Sequence, residues 1–173
     1  MILVPIGKSG SGKDTLARAL PNFFNFKFSD SLKKMCDEIF NTEEFRKICP
    51  QIAEGDFWND RTPLHRFLLQ RVGTDIVRKI DYGYWTDRAS ELLDKIENDL
   101  IVTDCRFPNE LDLIIHKARP NERVIIFQLV RGGQLPEFNH PSEKFDWAES
   151  IPVVDNNGTV EELVENVLKL MRG

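Results

Sequence analysis

Gly7-Lys8-Ser9-Gly10-Ser11-Gly12-Lys13 has the residue types and the spacing, G-x-x-x-x-G-K, to hold a polyphosphate. Glycines at positions 7, 10 and 12 let the backbone turn with its N–H groups inward and put no Cβ in the way of an anion. Ser9 and Ser11 complete the loop and count with it as donor-nucleotide contacts. Lys13 supplies a full positive charge, and the start of the following helix adds a partial one. A Gly/Ser-rich turn before an ordinary helix would share this composition. The apolar run Ile2–Ile6 in front, and the lysine in register, favour the nucleotide site. One position departs from the usual pattern: Asp14 stands where most such loops carry a Ser or Thr whose hydroxyl holds Mg²⁺, and Thr15 follows one residue later.

Other side chains could complete a phosphoryl-transfer site. Asp104 closes the apolar stretch Leu100–Asp104, where a second acid supports Mg²⁺ or its waters in enzymes with such a loop. Asp104 is therefore a metal candidate, directly or through water, while the loop itself leaves open which of its residues holds the metal. Lys33 and Lys34 fall in the first turn of an expected helix, where the macrodipole disfavours cations, and such a broken local rule marks an anion site. Asp30 reads equally as a helix cap or a ligand. Arg71, Thr74 and Arg78 share one face of a long expected helix, whose interior Gly73 costs roughly 1 kcal/mol against Ala and suggests close approach by a ligand or a backbone. Arg88 and Arg106 add guanidinium forks suited to phosphate. Each arginine alone reads as a surface charge; together they exceed what a solvated face needs. The three histidines are too scattered for a metal cluster or a triad, and the three tryptophans read as core or pocket wall.

These residues need elements to position them. Strands are expected at Ile2–Ile6, Phe26–Ser29, Leu100–Asp104, Val124–Val130 and Ile151–Asp155. Helices are expected from Asp14 to Leu20, Leu32 to Phe40, Thr62 to Ile80, Tyr84 to Asn98, Pro108 to Lys117 and Val160 to Met171, with a short one near Thr42. Val124–Val130 is apolar throughout and reads as buried on both faces. This alternation predicts an α/β fold, an open parallel five-stranded sheet with helices on both faces, and a loop over about 131–141 that the resemblance given below makes a short lid. Ligands in such sheets lie at the carboxyl ends of the strands. The residues closing the expected strands, Gly7, Asp30, Asp104, Arg131 and Asp155, are charged apart from the glycine.

At 173 residues the chain suits one domain, 1–173. Its composition, 41% hydrophobic and 29% charged, is that of an ordinary globular protein, and its net charge of −5 disfavours direct nucleic-acid binding. Three distant cysteines form neither a disulfide framework nor a zinc site, which implies a reducing, cytoplasmic compartment. Neither a signal peptide nor a membrane span is expected.

Taken in order, GKSGSGKDT (7–15), FSDSLK (28–33), LQRVGTDIVR (69–78), DYGYWTDR (81–88), IVTDCRFPNE (101–110), HPSE (140–143) and VDNNGTVEEL (154–163) resemble the phage-type deoxynucleoside monophosphate kinases. Asp14 is itself a feature of that group, shared with phosphomevalonate kinases. The resemblance implies a P-loop kinase fold and transfer from ATP, with Mg²⁺, to a deoxynucleoside monophosphate. By motif, Gly10, Gly12, Lys13, Asp14 and Thr15 would hold the donor's phosphates and metal. Asp30, Lys33, Arg71, Arg88 and Arg106 would serve the acceptor, joined by Thr74 and Arg78 of the same helix. Arg131 would open the lid, and Asn156–Gly158 would lie near the donor adenine. Lys13, Arg88, Asp104 and Arg106 form the catalytic set. Two departures stand out: Gly132-Gly133 follows Arg131 where relatives often show Pro-Gly, and the lid is poor in arginine.

The small-molecule partner is thus a deoxynucleoside monophosphate, in the host cytoplasm if the chain is phage-encoded, with a homodimer as the assembly to test. Competing readings are a phosphomevalonate or other small-metabolite kinase on this fold, and a nucleotide-dependent switch or ATPase. The guanine-reading N-K-x-D sequence is absent, which argues against a GTPase switch.

Overall fold

The computed structural model describes residues 1–132 and 151–172. Its five-stranded sheet is all parallel: β1 (Ile2–Ile6), β2 (Phe24–Phe26), β3 (Leu100–Val102), β4 (Val124–Val130) and β5 (Val153–Asp155), in the order β2-β3-β1-β4-β5. β1 is central and all five of its residues are buried. In β4 only Phe127 and Leu129 are fully buried, so the expectation of a strand covered on both faces holds for β1 and not for β4. The sheet is covered on both sides. On one, Leu16, Ala17 and Leu20 of α1 (Lys13–Ala19) and its following residue join Leu163 and Val167 of α8 (Val160–Arg172) over Leu3, Ile101, Phe127 and Leu129. On the other, Ile114 of α7 (Pro108–Lys117) lies with Ile2 and Leu100, as strand alternation requires.

Contacts divide the chain into two compact units, Met1–Lys27 with Leu92–Gly173, and Phe28–Glu91. The first holds the sheet. The second has its own core, in which Cys36, Ile52, Phe57 and Val72 pack with Leu32, Met35, Phe40, Leu68 and Leu69. It contains α2 (Ser29–Phe40), α3 (Glu43–Ile48), a 3₁₀ turn at Pro50–Glu54, α4 (Pro63–Gln70), a π-helical stretch Arg71–Val77, α5 (Arg78–Ile80) and most of α6 (Tyr84–Leu93).

Several expected boundaries move. The strand expected at Phe26–Ser29 lies at Phe24–Phe26, and the chain enters α2 by Ser29. Asp30 is thus a first-turn residue rather than a strand end, and no side-chain cap closes that helix. The helix expected to Asn98 stops at Leu93, and the last strand starts at Val153. Thr42 caps α3 by accepting from the Phe45 N–H at 3.2 Å. Among the described residues no helix is long and apolar enough to cross a membrane.

The long helix from Pro63 to Ile80 is continuous but changes pitch in the middle. The Arg78 N–H reaches the Gly73 carbonyl, a π-type bond, and the same carbonyl accepts from Trp85 Nε1 at 3.0 Å. Gly73 is small because a Cβ there would meet Leu32 Cδ2 at 2.5 Å. The close protein approach is therefore a side chain of α2 rather than a backbone. Changed pitch also separates the arginines expected on one face: Arg71 is exposed, whereas Arg78 is buried.

Candidate functional site

β1 runs from the buried centre of the sheet into the glycine-rich loop, and α1 begins at Lys13, so the loop is set by the most rigid strand of the first unit. Gly10 and Gly12 have φ of 83° and 103°, left-handed conformations that other residues adopt only with strain. A Cβ on Gly10 would have nothing within 4 Å, so that part of the cradle faces open space. One on Gly12 would strike Asn156 Nδ2. The Lys13 ammonium donates to the Gly7 carbonyl at 2.5 Å and the Lys8 carbonyl at 2.8 Å, and lies 3.3 Å from Ser11 Oγ. Folded over the loop, it is held at the mouth of a ring of backbone groups.

Asn156 is buried, and its Nδ2 donates to the Ser11 carbonyl at 2.8 Å. It clamps the loop from behind. Its neighbour Asn157 is exposed and accepts from the Gly132 N–H at 2.6 Å through Oδ1, tying the segment after β4 to the one after β5. Asn156→Ala should lower stability by about 1–3 kcal/mol, because it strands a buried carbonyl. Asn157→Ala should cost well under 1 kcal/mol, and thermal unfolding of both variants checks the contrast.

Around Asp14 the first turns of three connections meet. Its Oδ1 receives the Lys27 ammonium at 2.5 Å and lies 3.5 Å from Thr103 Oγ1, which is 3.1 Å from Asn25 Oδ1. Thr103 directly precedes Asp104, so the end of β3 is brought beside the start of α1. Thr15 accepts from Arg18 at 3.3 Å. Among the described residues no three His, Cys, Asp or Glu side chains converge as a metal cage. The open cradle, Lys13 and the Asp14 carboxylate fit a polyphosphate and its metal.

Arg106 follows Asp104 by two residues. Its backbone N–H and that of Phe107 both donate to Glu110 Oε2, at 2.7 and 3.2 Å, and Glu110 is buried. This carboxylate caps α7 and fixes the backbone that carries Arg106. Arg131 lies just past the end of β4 and is exposed. Thus Gly7 through Thr15, Asp104, Arg106, Arg131 and Asn156–Gly158 all belong to the first unit, past the carboxyl ends of its strands.

Asp30, Lys33, Arg71, Thr74, Arg78 and Arg88 belong to the second unit. Lys33 is buried, with its ammonium 2.6 Å from Asp30 Oδ1 and 5.4 Å from the Trp58 ring centroid. Arg71 pairs with Asp75 at 2.6 Å and lies over Phe67; Arg78 lies over Tyr82. Arg88 lies over the Tyr84 ring and donates to its hydroxyl at 3.2 Å, which raises its pKa further above neutrality. Trp85 is buried as a core residue, as is His65, whose Nδ1 lies 2.8 Å from Thr62 Oγ1. Cys36 is inert, its thiol pushed up to about 12 by burial. Lys27, Asn25, Thr103 and Glu110 escaped the sequence reading, whereas Trp58, read as core or pocket wall, is 40% exposed and faces Lys33. Only Thr103 and Glu110 carried a signal, through their place in the Ile101–Glu110 motif. The expected lid beyond Gly132, the HPSE stretch and Trp147 lie outside the described residues.

A parallel sheet whose central strand feeds a glycine-rich, lysine-bearing loop and a helix defines an α/β protein with an anion-binding loop at the carboxyl edge of its sheet. The model of the deoxynucleotide monophosphate kinase family matches residues 26–167, and the chain belongs to that family. It is thus a phosphotransferase of the deoxynucleoside monophosphate kinase kind. The match begins after the glycine-rich loop, so the loop is independent support. No curated protein matches the chain in sequence. Among solved structures it is similar to an unliganded sugar kinase from Janibacter sp. HTCC2649, at 16% identity over 99% of this chain and 94% of that one, with a TM-score of 0.42.

Proposed function

We propose that this chain transfers the γ-phosphoryl group of ATP, with Mg²⁺, to a deoxynucleoside 5′-monophosphate, releasing the diphosphate and ADP. The observation that carries the donor half is the Lys13 ammonium held over the loop by the Gly7 and Lys8 carbonyls. There it can exchange carbonyl partners for phosphate oxygens without leaving the site. Loop N–H groups would orient the donor phosphates, and Asp14 and Asp104 would hold the metal with Thr15 beside them. Bound Mg²⁺ offsets charge on the transferring phosphate. A cavity of about 320 Å³ lined by Asp155, Asn156, Gly158 and Glu162 adjoins the loop clamp and offers room for the donor's base. Arg131 adds charge at that edge.

On the acceptor side, buried Lys33 with its half-exposed partner Asp30 and the cations Arg71, Arg78 and Arg88 supply the groups that a monophosphate and its sugar require, with Thr74 as a hydroxyl. Arg106 orients the attacking phosphate. We assign both units to one catalytic domain, working in a reducing cytoplasm that suits three free cysteines. Loose phosphoryl transfer needs no covalent enzyme intermediate, only alignment and a field over the phosphoryl oxygens.

ADP release over a panel of deoxynucleoside monophosphates, ribonucleoside monophosphates and phosphomevalonate tests the reading. ATP alone should turn over little, and one or more deoxynucleotides should raise ADP release strongly. Equal hydrolysis without an acceptor would favour a switch or ATPase. Activity confined to phosphomevalonate would move the acceptor class.

A further inference from the structure

The ammonium on Asp14 has consequences for the metal. Loops of this kind that carry Ser or Thr at this position present a neutral hydroxyl, whereas a carboxylate there adds negative charge beside a polyphosphate. In this structure that charge is already partnered. Lys27, the residue just past β2, places its ammonium 2.5 Å from Asp14 Oδ1, the same oxygen that lies 3.5 Å from the Thr103 hydroxyl. The other side of the network is anchored, since Thr103 is buried and its hydroxyl lies 3.1 Å from Asn25 Oδ1 on β2. Lys27 itself is only partly covered, with 23% of its side chain exposed against 57% for Asp14, so it has room to withdraw.

We infer that Lys27 is a resident counter-ion on the metal-bearing carboxylate and competes with a divalent cation for Asp14. An ammonium and a divalent ion cannot both sit against one carboxylate oxygen without strong mutual repulsion. Lys27 therefore neutralises Asp14 when the site is empty of metal and raises the metal concentration at which it fills. This inference rests on the reading of Asp14 as a metal ligand.

The test is direct Mn²⁺ binding to the nucleotide-free protein by electron paramagnetic resonance, which needs no turnover. Wild type, K27M, K27R, D14N and K27M/D14N are compared, with thermal unfolding as a check of folding. K27M should bind Mn²⁺ about three- to fivefold more tightly than wild type, the scale of a partly exposed ion pair. K27R should stay near wild type because it keeps the cation. D14N should bind weakly, and the double variant should lose the gain. Equal or weaker binding in K27M, with D14N still impaired, would overturn Lys27 as competitor and leave Asp14 as ligand. Binding unchanged by D14N in both backgrounds would remove Asp14 from the metal site and this inference with it.

Discussion

Lys13→Ala will abolish measurable phosphoryl transfer while the protein stays folded. The loop N–H groups can still gather phosphate oxygens but cannot replace the full charge that Lys13 supplies at the start of the helix. Losing one preorganised electrostatic donor in a catalytic site costs about 10²–10³-fold, and a charged one acting on a transferring phosphate should cost at least that. The structure adds a second consequence. Lys13 is buried and its ammonium serves two backbone carbonyls, so the alanine variant should also melt slightly lower, by the equivalent of about 1–3 kcal/mol. Circular dichroism and thermal unfolding separate this from global misfolding. Near-normal ADP release from a folded Lys13→Ala protein would remove the loop from the mechanism.

Arg106→Met will lower kcat/KM for the acceptor by roughly 10²-fold or more, the scale of a lost positioning contact, with ATP affinity little changed. Methionine keeps much of the stem's packing and removes the fork that grips two phosphate oxygens. The backbone at this position is not free to compensate, because buried Glu110 accepts the N–H groups of both Arg106 and Phe107. The side chain therefore starts from a fixed point on the backbone. Steady-state kinetics with the acceptor varied, beside direct ATP titration, decide the matter. Unchanged acceptor kinetics, or a loss confined to ATP binding, would take Arg106 off the acceptor side and leave Arg71 or Arg88 as the clamp.

The sheet and the loop were legible in the residues because their signals are local. Five apolar runs separated by helical periodicity specify a parallel α/β sheet, and G-x-x-x-x-G-K between the first run and a helix specifies an anion-binding turn. Asp104 and Arg106 were readable for a similar reason: they follow an apolar strand directly, and strand ends define the ligand edge. The pitch change at Arg71–Val77 was not readable, since the same apolar spacing serves an α-helix or an α-helix with a π segment. The choice is made by packing, with Leu32 against Gly73 and the Trp85 indole on the Gly73 carbonyl. That packing leaves Arg71 exposed and Arg78 buried.

What the chain determined by itself, then, is the donor loop, its lysine, the parallel sheet and the family motifs. Each depends on neighbours a few residues away or on patterns of period two or near four. Tertiary structure decided how those pieces are partnered over distance, with Asn156 behind Ser11 and Lys27 on Asp14, whereas Glu110 under Arg106 is a local helix cap. The two distant pairs join residues 145 and 13 apart in the chain, and no spacing rule links such positions. They meet because parallel strands converge their carboxyl ends on one edge, where buried polar groups must find partners or be left unsatisfied.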